Sequence, residues 1–108
     1  MSAAIEIVSY KLQASASKED LMACNPPVES WIAAQPGFEY RALSQKEDGT
    51  WVDVVFWDSM ENAKKAGEGF CQADAPKKMM ALIDEGTVEM QHMSVAAAIC
   101  PAMAEVTA

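Results

Sequence analysis

With 108 residues, of which 51% are hydrophobic, the chain has the size and composition of one globular domain. Sixteen acidic and eight basic residues give a formal net charge of −8, which argues against nucleic acid and anionic membrane surfaces as partners. A domain this small buries only about two-thirds of the surface that its unfolded chain exposes, so self-association would add stability.

The three cysteines, Cys24, Cys71 and Cys100, are far apart, and no two have the spacing of zinc ligands or of a redox pair. We therefore expect reduced thiols, no metal site and no cofactor. The first residues lack the basic-then-apolar layout of a secretory signal, which predicts a cytoplasmic protein.

Residues 3–12 alternate in polarity and predict a first strand. One face carries Glu6, Val8, Tyr10 and Leu12, and the other carries Ile5, Ile7 and Ser9.

A helix is predicted after Ser17, a good N-cap residue that is followed by acidic residues in the first turn. Its apolar stripe consists of Leu21, Cys24, Val28 and Ile32. Because proline is unfavourable inside a helix, Pro26 and Pro27 predict a break and a restart at Asn25. Pro36 and Gly37 end this helix.

A hairpin is predicted next, with a two-residue turn at Asp48 and Gly49. This turn would pair residue 45 with 52 and residue 41 with 56. One face then carries Arg41, Leu43, Val52, Val54 and Phe56, and the other carries Phe38, Tyr40, Ala42, Ser44, Trp51, Asp53, Val55 and Trp57. A three-residue turn would shift the register and reassign these faces.

The last third of the chain predicts two helices and a strand. Asp58 and Glu61 resemble a capping box for a helix that ends near Phe70. A short helix restarts at Asp74 and ends at Gly86. Residues 87–95 form the last strand, with Val88, Met90, His92 and Ser94 on one face. The domain would span residues 1–95, and residues 96–108 form an Ala-rich tail.

The element order β-α-β-β-α-β predicts a ferredoxin-like α+β fold, in which helices cover one face of a four-stranded antiparallel sheet. Several strands are partly apolar on both faces. The uncovered face would then be buried most simply against a second copy of the chain, which predicts a homodimer.

The segment from Gln35 to Ala63 enters the second strand through Pro36-Gly37 and ends the third with Trp57-Asp58-Ser59. This pattern resembles the dimeric α+β barrel superfamily, and most of all its antibiotic-biosynthesis-monooxygenase-like domains, over about residues 3–95. The resemblance implies the fold and the homodimer. It implies less about chemistry, because the superfamily includes monooxygenases, haem-degrading enzymes, isomerases and proteins without known activity.

Several residues are candidates for a site. His92 is a candidate base, or a structural histidine near a strand end. Asp53 is a second candidate base, with Ser44 or the other subunit as its expected partner. Residues that could contact a ligand are Tyr10, Tyr40, Arg41, Trp51 and Trp57. Arg41 could instead form an ion pair with Glu6.

We expect a domain that binds a small apolar or aromatic molecule. One alternative is a cofactor-independent monooxygenase or isomerase acting on a flat substrate, with His92 or Asp53 as base and Tyr40 or Arg41 holding the substrate oxygen. The other is a structural self-association module without a ligand.

Overall fold

The computed structural model describes residues 3–99. In chain order the elements are β1 (Ala4–Leu12), α1 (Lys18–Ala33), β2 (Phe38–Gln45), β3 (Trp51–Trp57), α2 (Met60–Phe70), α3 (Asp74–Met80) and β4 (Ile83–Ser94). The strands form one antiparallel sheet in the order β2-β3-β1-β4. This arrangement confirms the predicted ferredoxin-like class. We call the sheet surface under the helices the helix face and the opposite surface the open face.

Helix α1 begins as the sequence predicts. The Ser17 side chain accepts a hydrogen bond from the Asp20 backbone N–H, and the Asp20 carboxylate accepts one from the Ser17 N–H. These two bonds satisfy backbone donors that have no partner inside the helix. The predicted stripe also faces the core, with Leu21, Val28 and Ile32 buried.

The predicted break in α1 is wrong, since the helix runs through Pro26 and Pro27 without interruption. Two carbonyls, those of Met22 and Ala23, lose their usual N–H partners. The two prolines and the two residues with free carbonyls are all exposed, so water can hydrate these carbonyls. The lost hydrogen bonds therefore cost little stability.

The predicted two-residue turn of the hairpin is also wrong. Lys46 and Thr50 close a three-residue turn, with a hydrogen bond of 2.8 Å from the Lys46 N–H to the Thr50 carbonyl. Gly49 has a φ of 93°, the left-handed conformation that ends this kind of turn. Gln45 therefore pairs with Trp51, one position away from the prediction.

The register shift changes which residues share a face. Arg41 and Leu43 join Asp53 on the helix face, whereas Tyr40 joins Phe56 on the open face. An irregularity between residues 38 and 40 keeps Phe38 beside Trp57, with the two rings 6.0 Å apart.

The boundaries of α2 and α3 differ slightly from prediction. Ser59, not Asp58, caps α2 by accepting a hydrogen bond from the Asn62 N–H, while the Asp58 carboxylate accepts one from the Asn62 side chain. α3 starts at Asp74 as predicted and ends six residues before Gly86.

β4 begins earlier than predicted because its first residues pair with the end of β1. Ile83 lies opposite Leu12, so Gly86 belongs to the strand. β4 ends at Ser94. Most of the predicted tail, residues 100–108, lies outside the described residues, and the proposed domain boundary at residue 95 stays a prediction.

The core lies between the helix face and the three helices. Its largest fully buried side chains are Trp57, Tyr10, Leu21, Val28 and Pro76. Two carboxylates, Glu6 and Asp53, are buried on the same face. Within residues 3–99 no helix has the length and hydropathy needed to cross a membrane.

The conformation of Gly49 gives a test of the turn. We expect Gly49→Val to lower the free energy of unfolding by about 1 kcal/mol or more, because a side chain disfavours a positive φ. A steric clash would not explain this loss of stability, since a Cβ added at Gly49 would meet no atom within 4 Å. Gly86→Val is the control, at an exposed strand position with an ordinary φ, and should cost less. Equal denaturation midpoints for the two variants would contradict the positive φ of Gly49 in this three-residue turn.

Candidate functional site

A cavity of about 360 Å³ lies between the helices and the sheet. Its walls come from all three helices: Trp31 and Ile32 of α1, Phe70 of α2 and Met79 of α3 are among them. The sheet supplies the floor. A volume of this size, with mostly apolar walls, is typical of a small-molecule site.

The floor holds the few polar groups of the cavity. Glu6 and Tyr10 project from β1, and Asp53 and Trp57 project from β3. Strand alternation places all four on the helix face, since each pair is separated by an even number of residues. Polar groups therefore converge at one side of an apolar space.

Asp53 is neutralised by Arg41 from the neighbouring strand. Arg41 Nη2 lies 2.8 Å from Asp53 Oδ2, and Nε lies 3.0 Å from Oδ1, so the contact is bidentate. Arg41 Nη1 also donates to Asn25 Oδ1 at 2.9 Å and lies 3.7 Å from Glu29. The two paired side chains are only 5% and 10% exposed. The expected pairs Asp53–Ser44 and Arg41–Glu6 are therefore wrong, because the register brings Arg41 to Asp53.

Glu6 is paired with the single histidine of the chain. β1 and β4 place Glu6 opposite His92, and His92 Nε2 lies 3.1 Å from Glu6 Oε2, although the angle is not that of a hydrogen bond. Burial raises the pKa of the Glu6 carboxyl above its ordinary value. His92 and the Trp57 indole oppose this rise, and Asp53 adds to it.

Two further polar atoms of the floor are buried without a hydrogen-bond partner. They are the Tyr10 hydroxyl and the Trp57 indole Nε1. Burial, helped by the charge of Asp53, raises the pKa of Tyr10, so its hydroxyl stays protonated at neutral pH. An unpaired buried donor costs free energy, so these two atoms are unusual features of the floor.

The predicted site residues divide into two groups. Tyr10, Asp53 and Trp57 line the cavity. The others lie elsewhere: Tyr40 is 46% exposed on the open face, Arg41 is engaged beneath α1, Trp51 lies nearer the hairpin turn, and His92 lies beside Glu6 on the neighbouring strand. The expectation that Tyr40 shares a face with Asp53 is wrong, because of the register shift.

Sequence reasoning missed Glu6 as a site residue. It treated this side chain only as a partner for Arg41. The indication was present, because a carboxylate on the apolar face of a strand is rarely buried without a reason. No group of three or more metal-ligating side chains occurs in the part of the chain that the structure describes.

The fold is shared with several solved structures. SnoaB, a cofactor-independent oxygenase from Streptomyces nogalater, is 16% identical with a TM-score of 0.72, covering 92% of this chain and 98% of that protein. A monooxygenase from the gene ActVA-Orf6 of Streptomyces coelicolor, solved with nanaomycin D, is 21% identical with a TM-score of 0.70 and covers 93% of each chain. A dimeric ferredoxin-like protein from an uncultured marine organism is 13% identical with a TM-score of 0.65, again over 93% of each chain.

No protein-family model matches the sequence. No curated protein matches it either. At identities this low the similarity establishes the fold alone. The chain shares its ferredoxin-like fold with solved structures that are described as antibiotic biosynthesis monooxygenases.

The raised pKa of Glu6 predicts a pH dependence of stability. A carboxyl whose pKa is higher in the folded state binds protons more readily there, so its contribution to stability falls as pH rises through its titration. We expect the free energy of unfolding of the wild type, relative to Glu6→Gln, to decrease as the pH is raised from about 4, near the ordinary pKa of a glutamate, toward neutral pH.

Chemical denaturation of both proteins across this range measures the effect. Glu68→Gln removes the same charge at an exposed position of α2 and should show no such trend. If the stability of the wild type relative to Glu6→Gln instead increased with pH, the pKa of Glu6 would not be raised in the folded protein.

Proposed function

We propose that this protein binds a small, flat, largely apolar molecule in the cavity between the helices and the sheet. The cavity itself carries the proposal, with mostly aromatic and aliphatic lining residues and a few polar groups on its floor. Trp31, Phe70 and Trp57 offer ring surfaces, which suit a planar ligand. A purely structural module would be expected to fill this space with side chains, so the cavity weighs against that alternative.

Proton transfer within the same cavity is a second candidate function. Glu6 is a buried carboxylate with a raised pKa, and the unpaired donors of Tyr10 and Trp57 lie on the same floor. A base that removes a proton and donors that stabilise the resulting oxyanion are the parts that a cofactor-independent oxygenase or isomerase requires. Structures with this fold include a cofactor-independent oxygenase.

The geometry favours Glu6 over the bases suggested by the sequence. Asp53 is held by the bidentate contact with Arg41, and His92 is not among the residues that line the cavity. Oxygen uptake or an absorbance change with quinols, phenols or lactones would establish catalysis. Binding without either change would leave the protein a binding domain.

We also propose that the open face forms a homodimer interface. It carries Tyr40 and Phe56, whose rings are 5.8 Å apart, together with Ile7 and Val54 at its centre. Such an apolar sheet surface is unusual on a monomer. One protein of the same fold is described as dimeric. A cytoplasmic location remains a prediction from composition.

Filling the cavity tests the binding proposal. Gly67 lines the cavity from α2, and a Cβ there would meet no atom within 4 Å. N-phenylnaphthylamine is a neutral probe that fluoresces when it binds in an apolar site. We expect Gly67→Leu to abolish this fluorescence, because the leucine side chain would occupy the space that the probe needs.

The control is Gly67→Ala, which leaves most of the cavity open and should still bind the probe. Both variants should gain about 0.5–1 kcal/mol in stability, because glycine is a poor helix former. Equal probe binding by the two variants would contradict this location of the ligand.

A charge on the open face tests the dimer. Sedimentation of the wild type at micromolar concentration should give about twice 11.7 kDa. Val54→Glu should shift this value to the monomer, because a carboxylate at the centre of the interface would be buried without a partner. Met22→Glu, which places the same charge at an exposed apolar residue of α1, should remain dimeric. A monomeric wild type would overturn the proposal.

A further inference from the structure

The charged residues that line the cavity are all acidic. Glu6, Asp53 and Glu85 line it, and none of its lining residues in the described chain is Lys, Arg or His. Arg41 compensates Asp53 from beneath α1, and Glu85 lies at the exposed rim. Glu6 is thus the buried carboxylate of the cavity that has no guanidinium bound to it.

We propose that Glu6 determines which ligands the cavity accepts: it selects a molecule with an uncharged hydroxyl group at its polar end and rejects organic anions. The inference rests on the proposed binding function and adds the chemical class of the ligand. It assigns the discrimination to one side chain, and His92 acts only by positioning that side chain.

The position of Glu6 explains why a hydroxyl group is suitable. A hydroxyl can donate a hydrogen bond, whereas a hydrocarbon cannot. Its proton can bind the Glu6 carboxylate, which lines the cavity. Hydrogen bonds to a charged group are the stronger kind.

An anionic ligand meets the opposite situation. Its carboxylate would lose its water and face Glu6 in an apolar space, where repulsion between like charges is poorly screened. Arg41 does not compensate the charge of Glu6, since its donors are engaged by Asp53 and Asn25. A hydrocarbon of the same shape avoids this repulsion but offers Glu6 no hydrogen bond.

Three ligands on one aromatic frame test the proposal: naphthalenemethanol, methylnaphthalene and naphthoate, substituted at the same ring position. Titration calorimetry at neutral pH measures the dissociation constants. For the wild type we expect the alcohol to bind about tenfold more tightly than the hydrocarbon, and the anion to bind more weakly than both.

The variants assign the effect to Glu6. Glu6→Gln should reduce the ratio between the affinities for the alcohol and the anion by about tenfold or more, because the amide carries no charge and can donate to a carboxylate. Glu6→Asp keeps the charge and should still reject the anion. Glu68→Gln, the same change on the outer side of α2, should keep the wild-type ranking.

The outcomes separate this inference from the function on which it rests. If the hydrocarbon and the anion bind the wild type as tightly as the alcohol, the cavity binds ligands but Glu6 does not select them. If Glu6→Gln keeps the wild-type ranking, the assignment to Glu6 is wrong. If none of the three ligands binds, both proposals are overturned. If one Glu6 variant fails to fold, the wild-type ranking still tests the ligand class, and the other Glu6 variant tests the assignment.

Discussion

The bidentate contact between Arg41 and Asp53 depends on the register of the hairpin and joins three elements of the fold. Arg41 lies on β2, Asp53 on β3, and the third partner, Asn25, on α1. Both charges are almost fully buried. Breaking such a pair leaves one charge uncompensated, at a cost of about 3–5 kcal/mol. A hairpin shifted by one residue would place Arg41 on the open face and leave Asp53 unpaired, so this interaction disfavours the alternative register.

The two buried carboxylates of the helix face have different partners, which gives them different properties. Asp53 is fixed in place by a guanidinium that cannot lose its charge under ordinary conditions. Glu6 faces a histidine at 3.1 Å and an apolar cavity, and burial dominates its pKa. One carboxylate therefore contributes to the architecture, and the other is available for a ligand or for proton transfer. Environment separates their roles, although the side chains are chemically similar.

The sheet presents two apolar surfaces with different shapes. On the helix face the side chains leave a cavity, which Tyr10 and Trp57 help to line. On the open face Phe56 packs against Tyr40 in an edge-to-face contact. An apolar cavity suits a small molecule, whereas an apolar sheet surface suits another protein surface. Because alternate residues of one strand build both surfaces, a one-residue shift would damage both at once.

The element order, the fold class and most helix boundaries could be predicted from the sequence, because these depend on local features. The Ser17 cap, the stripe of α1 and the positive φ of Gly49 were all predictable from nearby residues. The continuous α1 was not, because the tolerance of Pro26 and Pro27 depends on which carbonyls face water. The early start of β4 required pairing with β1, at the other end of the chain.

Of the predicted site residues, Tyr10, Asp53 and Trp57 line the candidate cavity, since strand alternation was enough to group residues within one strand. The alignment of the strands with one another became visible only in the folded chain. A three-residue turn instead of a two-residue turn exchanged Tyr40 for Arg41 beside Asp53, and the pairing of β1 with β4 brought His92 to Glu6. Turn length and strand register are set by cross-strand contacts between residues far apart in the chain. The alternation of residues along a single strand does not predict these contacts.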